Sequence, residues 1–191
     1  MKTSKWIFIG VLLILAFITP VSKTLKFDKQ KSRIVIAGTS NLHDWEETIT
    51  KFDGELVLNT DEKVVKSYNS VNLNFYSVSI SSGKSIMDNK TKEALKAEKF
   101  PVINFRSQQI KEVRDMNNKK QVVVFGNLTI AGVTKYIDVG GFNTVTTDGG
   151  ILFEGKKNIN MSDFGIKPPT ALMGTLVVGN KVSVIFNIYF N

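Results

Sequence analysis

Residues 181–190 read KVSVIFNIYF. On an extended chain Val182, Val184, Phe186, Ile188 and Phe190 fall on one face, with Lys181, Ser183 and Asn187 on the other. A strand with one greasy side has to cover it, and here the pattern recurs along the chain. Val122, Val124, Leu128 and Ile130 share a face around Gly126; Phe52, Leu56 and Leu58 share one around Gly54; Val71, Leu73 and Phe75 alternate with Asn72 and Asn74. SRIVIAGTS (32–40), PVINFRSQQI (101–110), KYIDVGGFN (135–143) and GILFEGKKNIN (150–160) are further candidates. Gly179-Asn180 suits a tight hairpin between TLVV and the last strand. At least eight strands in about 165 residues predict an all-β barrel or sandwich. The mid-strand glycines Gly54 and Gly126 reduce the inward filling, which favours a barrel that keeps a cavity, although strand glycines also mark bends and close backbone approach.

One segment breaks the pattern. In SGKSIMDNKTKEALKAEKFP (82–101), Ile86, Met87, Leu95 and Phe100 are set among Lys, Glu and Ala, and Pro101 ends the run. It predicts one amphipathic helix or two short ones over about 85–98, lying over the barrel, against a flexible charged loop as the plainer reading.

The chain opens with Lys2 and Lys5 and an uncharged apolar run from Trp6 to Ile18. That run is shorter than the roughly 20 residues a membrane-crossing helix needs. It matches the apolar stretch of a secretory signal peptide, so residues 1–22 are expected to direct export to the periplasm or outside, leaving 23–191 as a single domain. An N-terminal membrane anchor is the alternative. With no cysteine, the exported domain has no disulfides and no thiol chemistry, and one histidine rules out multi-histidine zinc sites. Net charge is +8, falling to +6 without Lys2 and Lys5. The lysines are scattered, without a basic helix or an aromatic RNA-binding signature. A surface tolerant of anionic membranes, with transient contact there, is expected rather than nucleic-acid binding.

Catalytic signatures are missing: no G-x-S-x-G, no G-x-x-x-x-G-K-[ST] and no H-E-x-x-H occurs. Any triad would need His43, whose neighbour Asp44 points to the opposite face of an extended chain. No catalytic residue, no metal ligand and no required cofactor is expected, and the chain reads as a non-enzyme. A carboxylate hydrolase would need two acids converging in a cleft. In GTSNLHDWEE (38–47), His43 and Trp45 share a face if the chain stays extended. Two roles stay open for His43, Asp44 and Trp45: closing one end of the barrel, or touching a ligand's polar end.

Several of these stretches together resemble the YceI-like family of polyisoprenoid-binding, lipocalin-like proteins: SRIVIAGTSNLHDWE, KSIMDNKTKEALKAEKFPVINFRS, VFGNLTIAGVTKYIDV, SDFGIKPP and LVVGNKVSVIFNIYF, in the family's order. The resemblance implies an extended eight-stranded antiparallel barrel whose tunnel holds an isoprenoid quinone or prenyl lipid without catalysis. Where many members carry histidines, this chain has Asn89, Lys90 and Glu98-Lys99, which puts the headgroup contact in doubt. The expected ligand walls are Phe52, Leu56, Val71, Leu73, Phe75, Ile103, Phe105, Val124, Leu128, Phe153, Phe186 and Ile188, with plain core packing as the competing reading for each. The competing function is a structural or stress-related interaction protein with a packed, ligand-free barrel.

Overall fold

The computed structural model describes residues 21–61, 64–116 and 119–191. Most of the expected signal segment, residues 1–20, lies outside them. Val21 and Ser22, the last two residues assigned to that segment, already pair with Thr60 and Asn59 in the first strand.

The elements are β1 (Val21–Lys26), β2 (Arg33–Ser40), β3 (Asp44–Ile49), β4 (Phe52–Asp61), β5 (Val64–Tyr76), β6 (Ile80–Ser81), α1 (Ser85–Ala94), β7 (Val102–Met116), β8 (Lys119–Ile130), β9 (Val133–Val145), β10 (Ile151–Asn160), β11 (Thr170–Ala171) and β12 (Leu176–Phe190). All pairings are antiparallel, in the order β1-β4-β5-β7-β8-β9-β10-β12-β2-β3-β6, with β11 added to β12. The sheet curls until its ends meet. β6 is the continuation of β5 beyond the short turn Ser77–Ser79, so β3 leads back to the strand β5 started. On the other side Lys26 N–H donates to Asn191 O (2.8 Å), Asn191 N–H to Lys26 O (3.0 Å) and Asp28 N–H to Tyr189 O (2.8 Å). These bonds cover edges that would otherwise invite another chain.

The expected count of eight strands needs correction: twelve occur among the described residues. Eight have eight residues or more, while β1 and β3 have six and β6 and β11 only two. The expected hairpin at Gly179-Asn180 is also absent. β12 runs straight through it, and the pair forms a bulge between Val178↔Ser40 and Val182↔Gly38. The bulge frees the Asn180 side chain to accept from Ser162 N–H and donate to Ser162 Oγ, both at 2.9 Å.

Gly54 and Gly126 do not make room for a ligand. A Cβ on Gly54 would lie 2.5 Å from Asn72 O, and one on Gly126 2.4 Å from Arg106 O, so each lets a neighbouring backbone approach. Aromatic rings need other glycines. Trp45 lies across Gly38, its cross-strand partner, while Gly141 and Gly155 make way for the rings of Phe153 and Phe186.

α1 is shorter than the expected 85–98. It ends at Ala94, and Lys96, with φ of 51°, turns the chain away. Met87, Lys90, Thr91, Ala94 and Leu95 line one side of it and cap the barrel, whereas Ile86, expected on the apolar face, is 76% exposed. No helix among the described residues is long and apolar enough to cross a membrane.

Candidate functional site

Strand alternation sends one set of side chains inward from every wall, and twelve strands enclose more space than those side chains fill. The result is a cavity of about 750 Å³, within the usual range for small-molecule sites. All five inward residues of KVSVIFNIYF border it. Of the twelve expected wall residues, eleven do: Leu56, Val71, Leu73, Phe75, Ile103, Phe105, Val124, Leu128, Phe153, Phe186 and Ile188. Phe52 is the exception. Its ring packs on Phe27 at 4.5 Å, and Phe27 meets Phe190 at 5.6 Å, a corner of solid core.

The exposed residues that border the cavity are His43, Gly83, Lys84, Ser85, Ile86 and Thr170. They locate its mouth among the β2–β3 turn, the start of α1 and β11. The turn is held rigidly. Ser40 N–H and Oγ–H both donate to His43 O, at 3.0 and 2.8 Å. Asn41 donates to Thr175 O (2.8 Å) and accepts from Val177 N–H (2.9 Å). His43 Nδ1 lies 2.7 Å from the Asp44 carbonyl, which can only accept, so Nδ1 carries the proton. Trp45 Nε1–H donates to Thr39 O at 3.0 Å. The residues of GTSNLHDWEE thus form part of the rim at the open end of the barrel, where His43 and Trp45 border the cavity. Asp44 is exposed and does not border the main cavity.

Polar groups on the wall are few, and the most buried was not among the expected contacts. Glu47 is 2% exposed and follows Trp45 and precedes Ile49 on the inward face of β3. Its Oε1 accepts from Thr91 Oγ on α1 at 2.8 Å. Burial pushes its carboxyl above the ordinary value; the Thr91 bond pulls it back, and the charge of Asp88 pushes it up again. Asp88 goes the other way. It accepts from Ser81 Oγ (2.6 Å), Ser82 N–H (2.7 Å) and Ser82 Oγ (2.7 Å), which hold its carboxyl below the usual range and tie α1 to β6. Its oxygens are therefore engaged structurally and are not poised for acid–base work with Glu47.

Glu47 carries a pH prediction. A carboxyl raised in the folded state favours folding in its protonated form, so its contribution is intact below the unfolded value of 4.5 and is lost as pH rises through the folded value. Glu47→Gln, which keeps the neutral shape, is expected to match the parent near pH 4 and to exceed it by about 1 kcal/mol at pH 8. Urea denaturation at both pH values measures this; a Gln variant less stable at pH 8 contradicts it.

At the inner end, near the β4–β5 turn, Tyr68 and Asn143 also face the cavity. Burial, assisted by the charge of Glu112, pushes the Tyr68 phenol up to about 12, while a hydrogen bond to Asn143 opposes it. Lys157 borders the wall where the β9–β10 ladder stops at Gly141↔Gly155, and its ammonium turns to Asp138 at 3.1 Å.

An antiparallel barrel around an apolar cavity, open at one end beneath a short helix, defines a lipocalin-like architecture. The chain belongs to the YceI-like domain family, whose model matches residues 25–190. Among solved structures it is similar to BcnA of Burkholderia cenocepacia, at 22% identity over 85% of this chain and 98% of that one, with a TM-score of 0.67. It is likewise similar to a polyisoprenoid-binding domain from Saccharophagus degradans implicated in plant cell wall breakdown (13% identity, 87% and 97% coverage, TM-score 0.66). A third is the Campylobacter jejuni YceI protein (18% identity, 76% and 84% coverage, TM-score 0.58). At these identities the likeness is one of fold. No functionally curated protein matches.

Proposed function

We propose that this protein is an exported, non-catalytic carrier that holds an isoprenoid-type lipid, a quinone or a prenyl lipid, in the barrel cavity. The observation that carries the reading is the cavity itself: about 750 Å³, with Ile, Leu, Val and Phe making up most of its wall. Unfilled apolar volume forgoes about 24 cal/mol of packing for each Å³ where it is sealed and dry, so an apolar space of this size favours an occupant. Each buried CH₂ of an isoprenoid tail gains about 0.8 kcal/mol, so a few units offset the ordering cost of binding. No catalytic group or cofactor is required. The cavity argues against the packed-barrel alternative.

The mouth supports transient contact with an anionic membrane. Leu42 and Ile86 are exposed at its rim, Met173 projects from the loop after β11, and Lys84 stands among them. Export by the N-terminal segment, to the periplasm or outside, remains part of the proposal, with retention as a membrane anchor as its alternative.

Trp45 reports on the site, since it borders the cavity and the only other tryptophan is Trp6. In a Trp6→Phe protein, vesicles carrying an isoprenoid quinone are expected to quench Trp45 by roughly half or more, saturating at about one quinone per protein. Transfer is expected to be faster from anionic than from zwitterionic vesicles. Undiminished emission with both kinds of vesicle would refute the reading, and equal rates would remove the membrane contact from it.

A further inference from the structure

Glu47 is the only acidic or basic residue among the described ones that is buried, and it borders the cavity. Among the described residues no lysine or arginine pairs with it, and Lys90 turns to Glu93 at 2.8 Å. Its Oε1 is taken by Thr91, and Oε2 has no hydrogen-bond partner among the described residues. This second oxygen is not sealed in, since Thr144 Oγ1 is the one buried side-chain atom without a partner among the described residues; it is open to the cavity, where a polar group can meet it. Its neighbours are Ile36 across the ladder, Trp45 and Ile49 along β3, and Thr91 and the carboxylate of Asp88 from α1.

We propose that the second oxygen of Glu47 binds the polar end of the lipid, and that this end is an uncharged oxygen, a hydroxyl or a carbonyl, in preference to a phosphate. The inference rests on the lipid-binding reading and deepens it. As the acid, Glu47 donates to a carbonyl; as the carboxylate, it accepts from a hydroxyl; either form meets a neutral oxygen. A phosphate would bring negative charge against Glu47 and Asp88 in a poorly solvated place, where like charges repel strongly. Glu47 sits under α1 near the mouth, so the head rests there and the tail runs inward toward Tyr68.

The test compares three probes with the full chain at pH 7: geranylgeraniol, geranylgeranyl phosphate and the headless hydrocarbon squalane. The parent protein is expected to bind the alcohol at least about tenfold more tightly than the phosphate. Glu47→Leu should lose about tenfold for the alcohol while binding squalane as well as the parent does, which also shows that the barrel is intact. Glu47→Gln should keep the alcohol within about threefold and gain affinity for the phosphate. Unchanged binding of the alcohol by Glu47→Leu overturns the proposal and leaves lipid binding standing. So does a loss that follows Tyr68→Phe instead, which would seat the head at the inner end. Failure of the parent to bind any of the three overturns the lipid-binding reading as well.

Discussion

Val124→Trp is expected to abolish lipid uptake, lowering affinity by about a hundredfold or more, without unfolding the protein. Val124 sits mid-strand on β8, buried, with its side chain on the cavity wall and its backbone between Ile110 and Val139. An indole there projects into space the lipid would occupy. In a solid core such an enlargement forces neighbours off their rotamers and costs about 1–3 kcal/mol. Projecting into an apolar void it gains contacts instead, so stability should stay within about 1 kcal/mol of the parent or rise. The pairing of outcomes is what discriminates. Lost binding with lost stability would describe an overpacked core, and retained binding would mean that the lipid sits elsewhere.

Gly126→Val, two residues along the same face, has the opposite signature. The new side chain would meet the Arg106 carbonyl oxygen at 2.4 Å and Ser107 Cα at 2.8 Å, both backbone atoms of β7. That strand cannot yield. Arg106 Nη1 donates to Leu73 O (2.8 Å) and Nη2 to Asn74 Oδ1 (2.6 Å), locking β7 to β5, and a register shift between Ser107 and Gln109 already absorbs the local irregularity. We expect a loss of about 3 kcal/mol, the upper end for overpacking, and a Tm lower by roughly 10 °C. Gly140→Ala is the control: a Cβ there meets nothing within 4 Å, so its Tm should barely move. A Gly126→Val protein as stable as Gly140→Ala would mean that β7 and β8 do not approach as closely as described.

These two positions also mark what could be read from the amino acids. Alternation in KVSVIFNIYF and QVVVFGNLTI identifies strands and their inward faces because a pleated strand repeats every two residues. It carries no information on what stands opposite. Gly126 reads equally as space for a ligand or as room for a strand, and only the pairing of β8 with β7 decides for the strand. The same blindness misread Gly179-Asn180, where turn-forming residues serve a bulge inside β12. Phe52 has the inward phase of a wall residue, yet Phe27, just past the end of β1, packs on it. β1 itself, VSKTLK, shows little alternation and follows closely on the apolar run Trp6–Ile18, so nothing local announces a strand.

Glu47 was legible in part. Trp45, Glu47 and Ile49 are two apart, and that phase puts a carboxyl on a greasy face, which is the informative kind of observation. The polar look of DWEETI and the turn residues before it obscured the strand. His43, the single histidine, stands at the mouth, engaged with the Asp44 carbonyl.

Lipid carriage requires that the barrel interior be occupied in the native protein. Native mass spectrometry of the gently purified protein, beside Val124→Trp, tests it most directly. The parent is expected to carry about one apolar lipid per chain, identifiable after solvent extraction, and the Val124→Trp protein to have bare mass. A parent that is bare, and stays bare after incubation with isoprenoid quinones and prenyl alcohols, would contradict it.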